Sequence, residues 1–337
     1  MSAIRRLVVL SDTHFGHEGA VLSSGDKIGA FLEELSGLDG VDALVLLGDV
    51  WDLWWAGLPE ASRAGERFFR ALGEWAAGRQ VFMVPGNHDF HLVSFGEERR
   101  QWRRLGWEGE SGEPSRAGED RRSTVAGVSR WMRGEGSRVC GLPLQTFYPF
   151  LHLEVGGRTL LLMHGHHLDF FTRSFWWAKT AWLAHWVLGR SRGISLGDLD
   201  RLNRPFFELL TSTARVPELL AWEYTFYRLI RFSMRLLRFQ SKKGASPGRF
   251  KSVVENAPEV RELLKTMLPG HIPDLFVFGH THRAGLHGMR VGAGRVLLAN
   301  CGCWLEDGGD NTTATYLVID EAVRLRRLGD WEVSVRP

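Results

Sequence analysis

The chain has 337 residues, 44% of them hydrophobic and 24% charged, with a formal net charge of +3. A chain so long and apolar buries a sizeable core, which excludes disorder as a starting point and favours one catalytic domain carrying an insertion. The mild basic excess suits an anionic substrate or membrane surface, while three cysteines, two of them only one residue apart at Cys301 and Cys303, exclude a disulfide framework and a zinc knuckle.

Residues 7–10 are apolar and run straight into Ser11-Asp12, too short a stretch for a secretory signal. A cytoplasmic protein in a reducing compartment is expected. Four more short, near-continuous apolar runs follow at 43–47, 81–84, 159–163 and 275–278, the pattern of strands covered on both faces. Between the first two runs, Ile28, Phe31, Leu32 and Leu35 form the stripe of an amphipathic helix, and a second helix is expected over 60–77 with Phe68, Phe69, Leu72 and Trp75 inward. Residues 106–136, rich in Gly, Ser, Glu and Arg, read as a mobile surface loop. Strand-like segments at 295–299, 315–319 and 331–335 suggest a further sheet closing an α/β layered domain.

Each of the five apolar runs ends in polar residues: Asp12-Thr13-His14, Gly48-Asp49, Gly86-Asn87-His88-Asp89, His164-Gly165-His166 and Gly279-His280-Thr281-His282. Ligand groups at strand ends of an open α/β sheet collect in one crevice. A lone Asp or His after a strand is usually a turn or structural group, but five such ends supplying Asp, Asn and His together point to a metal centre. Asp12, His14, Asp49, Asn87, His164, His280 and His282 form the mixed oxygen and nitrogen set that two divalent cations need, with Asp49 as the shared carboxylate. Two cations roughly 3.5–4 Å apart would lower the pKa of a shared water and clamp phosphate oxygens. His88 reads instead as a group that either protonates the leaving oxygen or stabilises charge on the phosphorus-bound oxygens, held in its useful tautomer by Asp52. Gly48, Gly86, Gly165 and Gly279 let backbone pass close to the ions.

Those motifs, Asp12-x-His14, Gly48-Asp49-x-x-Asp52, Gly86-Asn87-His88-Asp89, His164 and Gly279-His280-Thr281-His282, resemble the calcineurin-like metallophosphoesterase family over the chain outside 106–136 and 169–269. The resemblance implies a four-layered α/β/β/α sandwich with two ions between the sheets, manganese above all, with iron and zinc as alternatives. Gly48-Asp49-Val50-Trp51-Asp52-Leu53-Trp54, Gly86 to Phe90 and Asn300-Cys301-Gly302-Cys303-Trp304 are most similar to its UDP-2,3-diacylglucosamine pyrophosphatase branch of lipid A synthesis. The chain departs from that branch in carrying His88 where the best-known members have Arg, and in a longer helical insertion.

The catalytic domain is expected over 1–168 and 270–337, with 169–269 as a helical, Trp/Arg-rich lid. Residues 170–188 hold Trp176, Trp177, Trp182 and Trp186 but are too polar to span a membrane. Over 222–239, Arg228, Arg231, Arg235 and Arg238 make a basic line on an otherwise apolar helix. Trp176, Trp177, Arg228, Arg231, Arg235 and His166 are therefore candidates for contacts with a phosphate and acyl chains. The competing reading is a helical cap whose aromatics are core and whose arginines are solvated. Fourteen tryptophans against four tyrosines weigh modestly against it, because a buried indole brings an N–H that needs a partner.

The expectation is a pyrophosphatase, peripheral on the inner face of the cell membrane, that cleaves a nucleotide-diphospho-lipid to UMP and a lipid phosphate. The alternatives are a phosphatase or diesterase for another phospholipid or nucleotide and, less favoured, a metal-free binding scaffold. A nuclease is disfavoured because the basic residues interleave with large apolar ones, so no nucleic-acid partner is expected.

Overall fold

The structure, a computed structural model, describes residues 4–90, 132–171, 251–266, 272–306 and 313–336, with residues 92, 196, 268 and 270. The expected first strands form as β1 (Leu7–Leu10), β2 (Ala43–Leu46) and β3 (Gln80–Met83), paired in parallel and joined by α1 (Gly25–Ser36) and α2 (Leu58–Trp75). Beyond β3 lies β5 (Leu142–Tyr148), and β4 (Met132–Val139) pairs with it as the antiparallel edge. On the other side of β1, three antiparallel strands complete the sheet: β11 (Thr315–Ile319), β12 (Val323–Arg327) and β13 (Glu332–Val335).

A second sheet has the order β6 (Phe150–Val155), β7 (Arg158–Met163), β8 (Leu275–Phe278), β10 (Gly294–Asn300) and β9 (Gly285–Val291). Helix α3 (Val253–Thr266) covers its outer face.

Alternation inside the all-apolar strands generates the layers. Val8, Leu10, Leu44 and Leu46 pack under α1 and α2 with Phe31, Phe68, Phe69 and Leu72. Leu7, Val9, Ala43 and Val45 point the other way, to meet Leu160, Leu162, Leu275 and Val277 of the second sheet. Leu161, Met163, Phe276 and Phe278 then pack against Val260, Leu263 and Leu264 of α3. Successive side chains of a strand face opposite sides, so a strand between two cores must be apolar at every position. The result is the four-layered α/β/β/α sandwich with mixed sheets.

Three features differ from the expectations drawn from the sequence. Residues 132–136, expected as loop, belong to β4, which turns back into β5 through Cys140 and Gly141, both at positive φ. Residues 253–266, within the range expected for the insertion, form α3, whose start is marked by a reciprocal cap: Ser252 N–H donates to Glu255 Oε2 at 2.7 Å, and Glu255 N–H to Ser252 Oγ at 3.3 Å. Finally, Trp51, Trp75 and Trp304 are buried with no acceptor for their indole N–H among the described residues. They act as filler: Trp51 stacks on Phe69 at 5.1 Å, and Trp304 meets Phe31 edge-on at 5.0 Å. Among the described residues, then, buried tryptophan serves simple packing. Trp176, Trp177, Arg228, Arg231 and Arg235 lie outside the described residues. No helix among the described residues is long and apolar enough to cross a membrane.

Candidate metal centre

The loops that leave the strand ends are fastened to one another before any side chain is considered. Asp12 N–H donates to Gly48 O at 3.0 Å, His14 N–H to Asp49 O at 2.9 Å and Phe15 N–H to Val50 O at 2.9 Å, so the β1 and β2 loops continue their ladder past the strands. Gly279 N–H donates to His164 O at 2.9 Å, tying β8 to β7, and His280 N–H donates to Asp12 Oδ2 at 3.0 Å, joining the two sheets. Asp12, His14, Asp49, His280 and His282 all adopt positive φ, between 48° and 64°. Each such residue costs about 1–3 kcal/mol, and a cluster of five marks a site where backbone strain is held by surrounding bonds.

The strained turns bring the side chains together. Asp12, His14 and His282 form one group of possible ligands, and Asp49, His164 and His280 another, with the ligand atoms in each within 4.8 Å of one another. In the first, His282 Nε2 is 3.3 Å from Asp12 Oδ1 and 3.3 Å from His14 Nε2. In the second, His164 Nε2 is 3.1 Å from Asp49 Oδ2, and the same oxygen is 4.0 Å from His14 Nε2. Asp49 therefore lies between the groups, as a shared carboxylate must.

Bonds behind the rings decide which nitrogen faces inward. His164 Nδ1 donates to Leu47 O at 3.0 Å and His14 Nδ1 to Asp52 Oδ2 at 3.1 Å, leaving Nε2 of each for the centre. His280 Nε2 meets Asp169 Oδ2 at 2.9 Å, which leaves its Nδ1. Asp12 Oδ1, Asn87 Oδ1 and His164 Nε2 are buried without a hydrogen bond among the described residues. A buried polar atom left so costs about 1–3 kcal/mol, which a cation would offset. The residues thus fit a pair of divalent ions, and their oxygen and nitrogen donors leave several first-row metals compatible.

Electrostatics points the same way. Burial opposes charge on His164, but Asp49 and Asp12 outweigh it and carry its pKa up to about 9. His14 is likewise raised well above its ordinary value, burial being overcome by Asp12 and Asp52. Burial pushes Asp89 up to about 6, with help from the Asp49 charge.

A proton and a cation compete for the same lone pair, so at pH 7, below the value for His164, loading metal must expel its proton. We expect at least one proton released per chain at pH 7 and an apparent affinity that climbs with pH up to about 9. Calorimetry in buffers of different ionisation enthalpy reads the proton count, and a count of zero would refute it.

His88 N–H donates to Asp49 Oδ1 at 2.8 Å, and its Nδ1 meets Asp52 Oδ1 at 2.7 Å, the pairing expected for the dyad. Asp52 is also the brace of His14, a sharing the sequence did not reveal. His88 falls in a further group with His14 and Asp49, within reach of the centre. His166 is buried beside Tyr148, and burial together with His167 holds it well below its ordinary pKa, so it is neutral rather than a cation for phosphate.

Four supporting residues escape the sequence reading. Asp89 accepts from Val50 N–H at 2.8 Å and Gly86 N–H at 2.5 Å. Asn300 Nδ2 donates to Gly279 O at 2.9 Å and Thr281 Oγ1 at 3.0 Å. Ser11 Oγ bonds Asp12 Oδ2, and Asp169 holds His280. Asp89 and Asn300 stand inside motifs that carry the family resemblance; Asp169 has no signal beyond nearness to His164.

The family profile described as Calcineurin-like phosphoesterase matches residues 5–284. Among solved structures, the chain is similar to a dimetal phosphatase from Danio rerio (14% identity, 99% of each chain covered, TM-score 0.42). It is also similar to Yfce, a phosphoesterase from E. coli (13% identity, 98% of each chain, TM-score 0.39). No curated protein matches it.

Proposed function

The chain belongs to the calcineurin-like phosphoesterase family and is a metal-dependent phosphoester hydrolase, and within that class we propose that it cleaves the diphosphate of a nucleotide-diphospho-lipid such as UDP-2,3-diacylglucosamine at a membrane surface, releasing UMP and a lipid phosphate. The observation that carries the lipid reading is where the Trp/Arg-rich stretch departs. It follows Asp169, whose carboxylate touches His280, and it interrupts two adjacent parallel strands, β7 and β8, that both end at the centre. A long apolar and basic segment rooted there suits a substrate with acyl chains beside a diphosphate.

When bound, the cations, for which manganese is the proposed choice, supply an activated water and neutralise charge on the phosphate oxygens. The chain's own groups do the rest. Asp52 keeps the proton of His88 Nδ1 engaged, so Nε2 is the atom that delivers a proton to the leaving oxygen. The backbone bond from His88 N–H to Asp49 Oδ1 anchors the His88 main chain beside the shared carboxylate.

A substrate panel tests the lipid assignment. Burying only four methylenes at about 0.8 kcal/mol each amounts to about 3.2 kcal/mol, roughly 200-fold. UDP-2,3-diacylglucosamine should exceed its deacylated analogue in kcat/KM by about that factor, with UMP as product. Equal rates on the two, or a better rate on another phospholipid or nucleotide, would sink the lipid reading and leave the hydrolase.

A further inference from the structure

We propose that Trp54 is a positioning residue for the reaction, a wall that keeps the His88 imidazole aimed at the leaving oxygen; the inference rests on the assignment of His88 as the proton donor. The indole lies flat on the imidazole, ring centroids 4.1 Å apart and planes 19° from parallel. His14 also packs against it, with ring centroids 4.9 Å apart and planes at 86°. Asp52 Oδ1 holds Nδ1 at 2.7 Å. One tight turn supplies both restraints: Ala56 N–H donates to Asp52 O at 3.0 Å and Trp55 N–H to the same oxygen at 3.2 Å, so Asp52 reaches the ring's edge while Trp54 covers its face. Trp54 is itself backed by Phe90 and Tyr148, which fixes its plane.

The carboxylate alone would not suffice. Asp52 divides its oxygens between His88 and His14, and a single bond at Nδ1 leaves the imidazole free to swing about it. The flat contact removes that freedom. Sub-ångström alignment of a proton donor is worth up to about 10²-fold in rate.

In the step concerned, the oxygen of the attacking water bonds to phosphorus and gives a proton to solvent. The bond from phosphorus to the leaving oxygen breaks, and that oxygen takes the proton from His88 Nε2, which solvent later replaces. The demand for that proton rises with the basicity of the leaving oxygen: p-nitrophenolate, like a leaving phosphate, needs little of it and a primary alkoxide needs it fully, so the alkanol ester is the probe most sensitive to the aim of His88.

The experiment uses the metal-loaded full chain and nucleoside 5′-monophosphate esters of p-nitrophenol and of a primary alkanol, comparing wild type, Trp54→Leu, Trp54→Phe and His88→Gln. Trp54→Leu should lower kcat on the alkanol ester by roughly 30-fold and on the p-nitrophenyl ester by less than about 3-fold, with KM and metal content unchanged. Trp54→Phe, which keeps an aromatic face, should stay within about 3-fold on both. Equal losses on the two esters, or loss of metal in Trp54→Leu, would overturn the proposal. If His88→Gln separates the esters and Trp54→Leu does not, only the role of Trp54 fails. If His88→Gln does not separate them, His88 is not the donor and both assignments fall.

Discussion

Replacing Asp49 by Asn is expected to lower turnover by about four orders of magnitude, roughly 5.5 kcal/mol of transition-state stabilisation, and to cut the metal bound per chain from two to one or none. The substitution keeps the size of the side chain and an acceptor for the His88 N–H at 2.8 Å, so the loop should hold its shape. What it removes is the charge on Oδ2, which lies 3.1 Å from His164 Nε2 and 4.0 Å from His14 Nε2. The Asp49 charge is also the strongest influence opposing burial at His164, so without it the pKa of that imidazole falls. Metal analysis and kcat measured on the same preparation decide the matter. Two ions retained with near-normal turnover would remove Asp49 as the shared ligand.

The second large effect is structural. A methyl group at Gly279 would overlap Ser11 Oγ and Asp12 Oδ2, both of them buried. The backbone cannot retreat, because Gly279 N–H is held by His164 O at 2.9 Å and Gly279 O by Asn300 Nδ2 at 2.9 Å. Gly279→Ala should therefore destabilise the protein by about 3 kcal/mol and displace Asp12, weakening metal binding with it. Gly288 in β9 has open space around the same position, so Gly288→Ala should cost only about 1 kcal/mol or less. Denaturant unfolding of the two variants makes the comparison; equal midpoints would show that the Gly279 packing is not required.

Much of the fold is legible in the sequence because its central strands are buried on both faces, and an unbroken apolar run such as Leu7 to Leu10, too short for a helix, suits a covered strand. Half-exposed strands leave a fainter trace. In β6, Leu151, Leu153 and Val155 are buried while His152 and Glu154 face solvent, an alternation spread over only six residues. The cap at Ser252 and Glu255 is a local signal for the start of α3, but its position between β7 and β8 makes it look like part of the insertion.

For the metal centre, the amino-acid sequence determined which donor types stand at the strand ends: carboxylate, amide and imidazole, each following an apolar run. Strand ends in a parallel sheet converge whatever the details of the loops, so residue type and place in the order were enough. Only the tertiary structure decided which nitrogen of each imidazole faces inward, that Asp52 serves both His14 and His88, and that Asp89, Asn300 and Asp169 brace the loops. Those choices depend on hydrogen bonds of about 3 Å between segments up to more than a hundred residues apart, such as His280 N–H to Asp12 Oδ2, and no local pattern records them. The same bonds between distant loops hold the strain at five positive-φ ligand turns, which no single segment could sustain by itself.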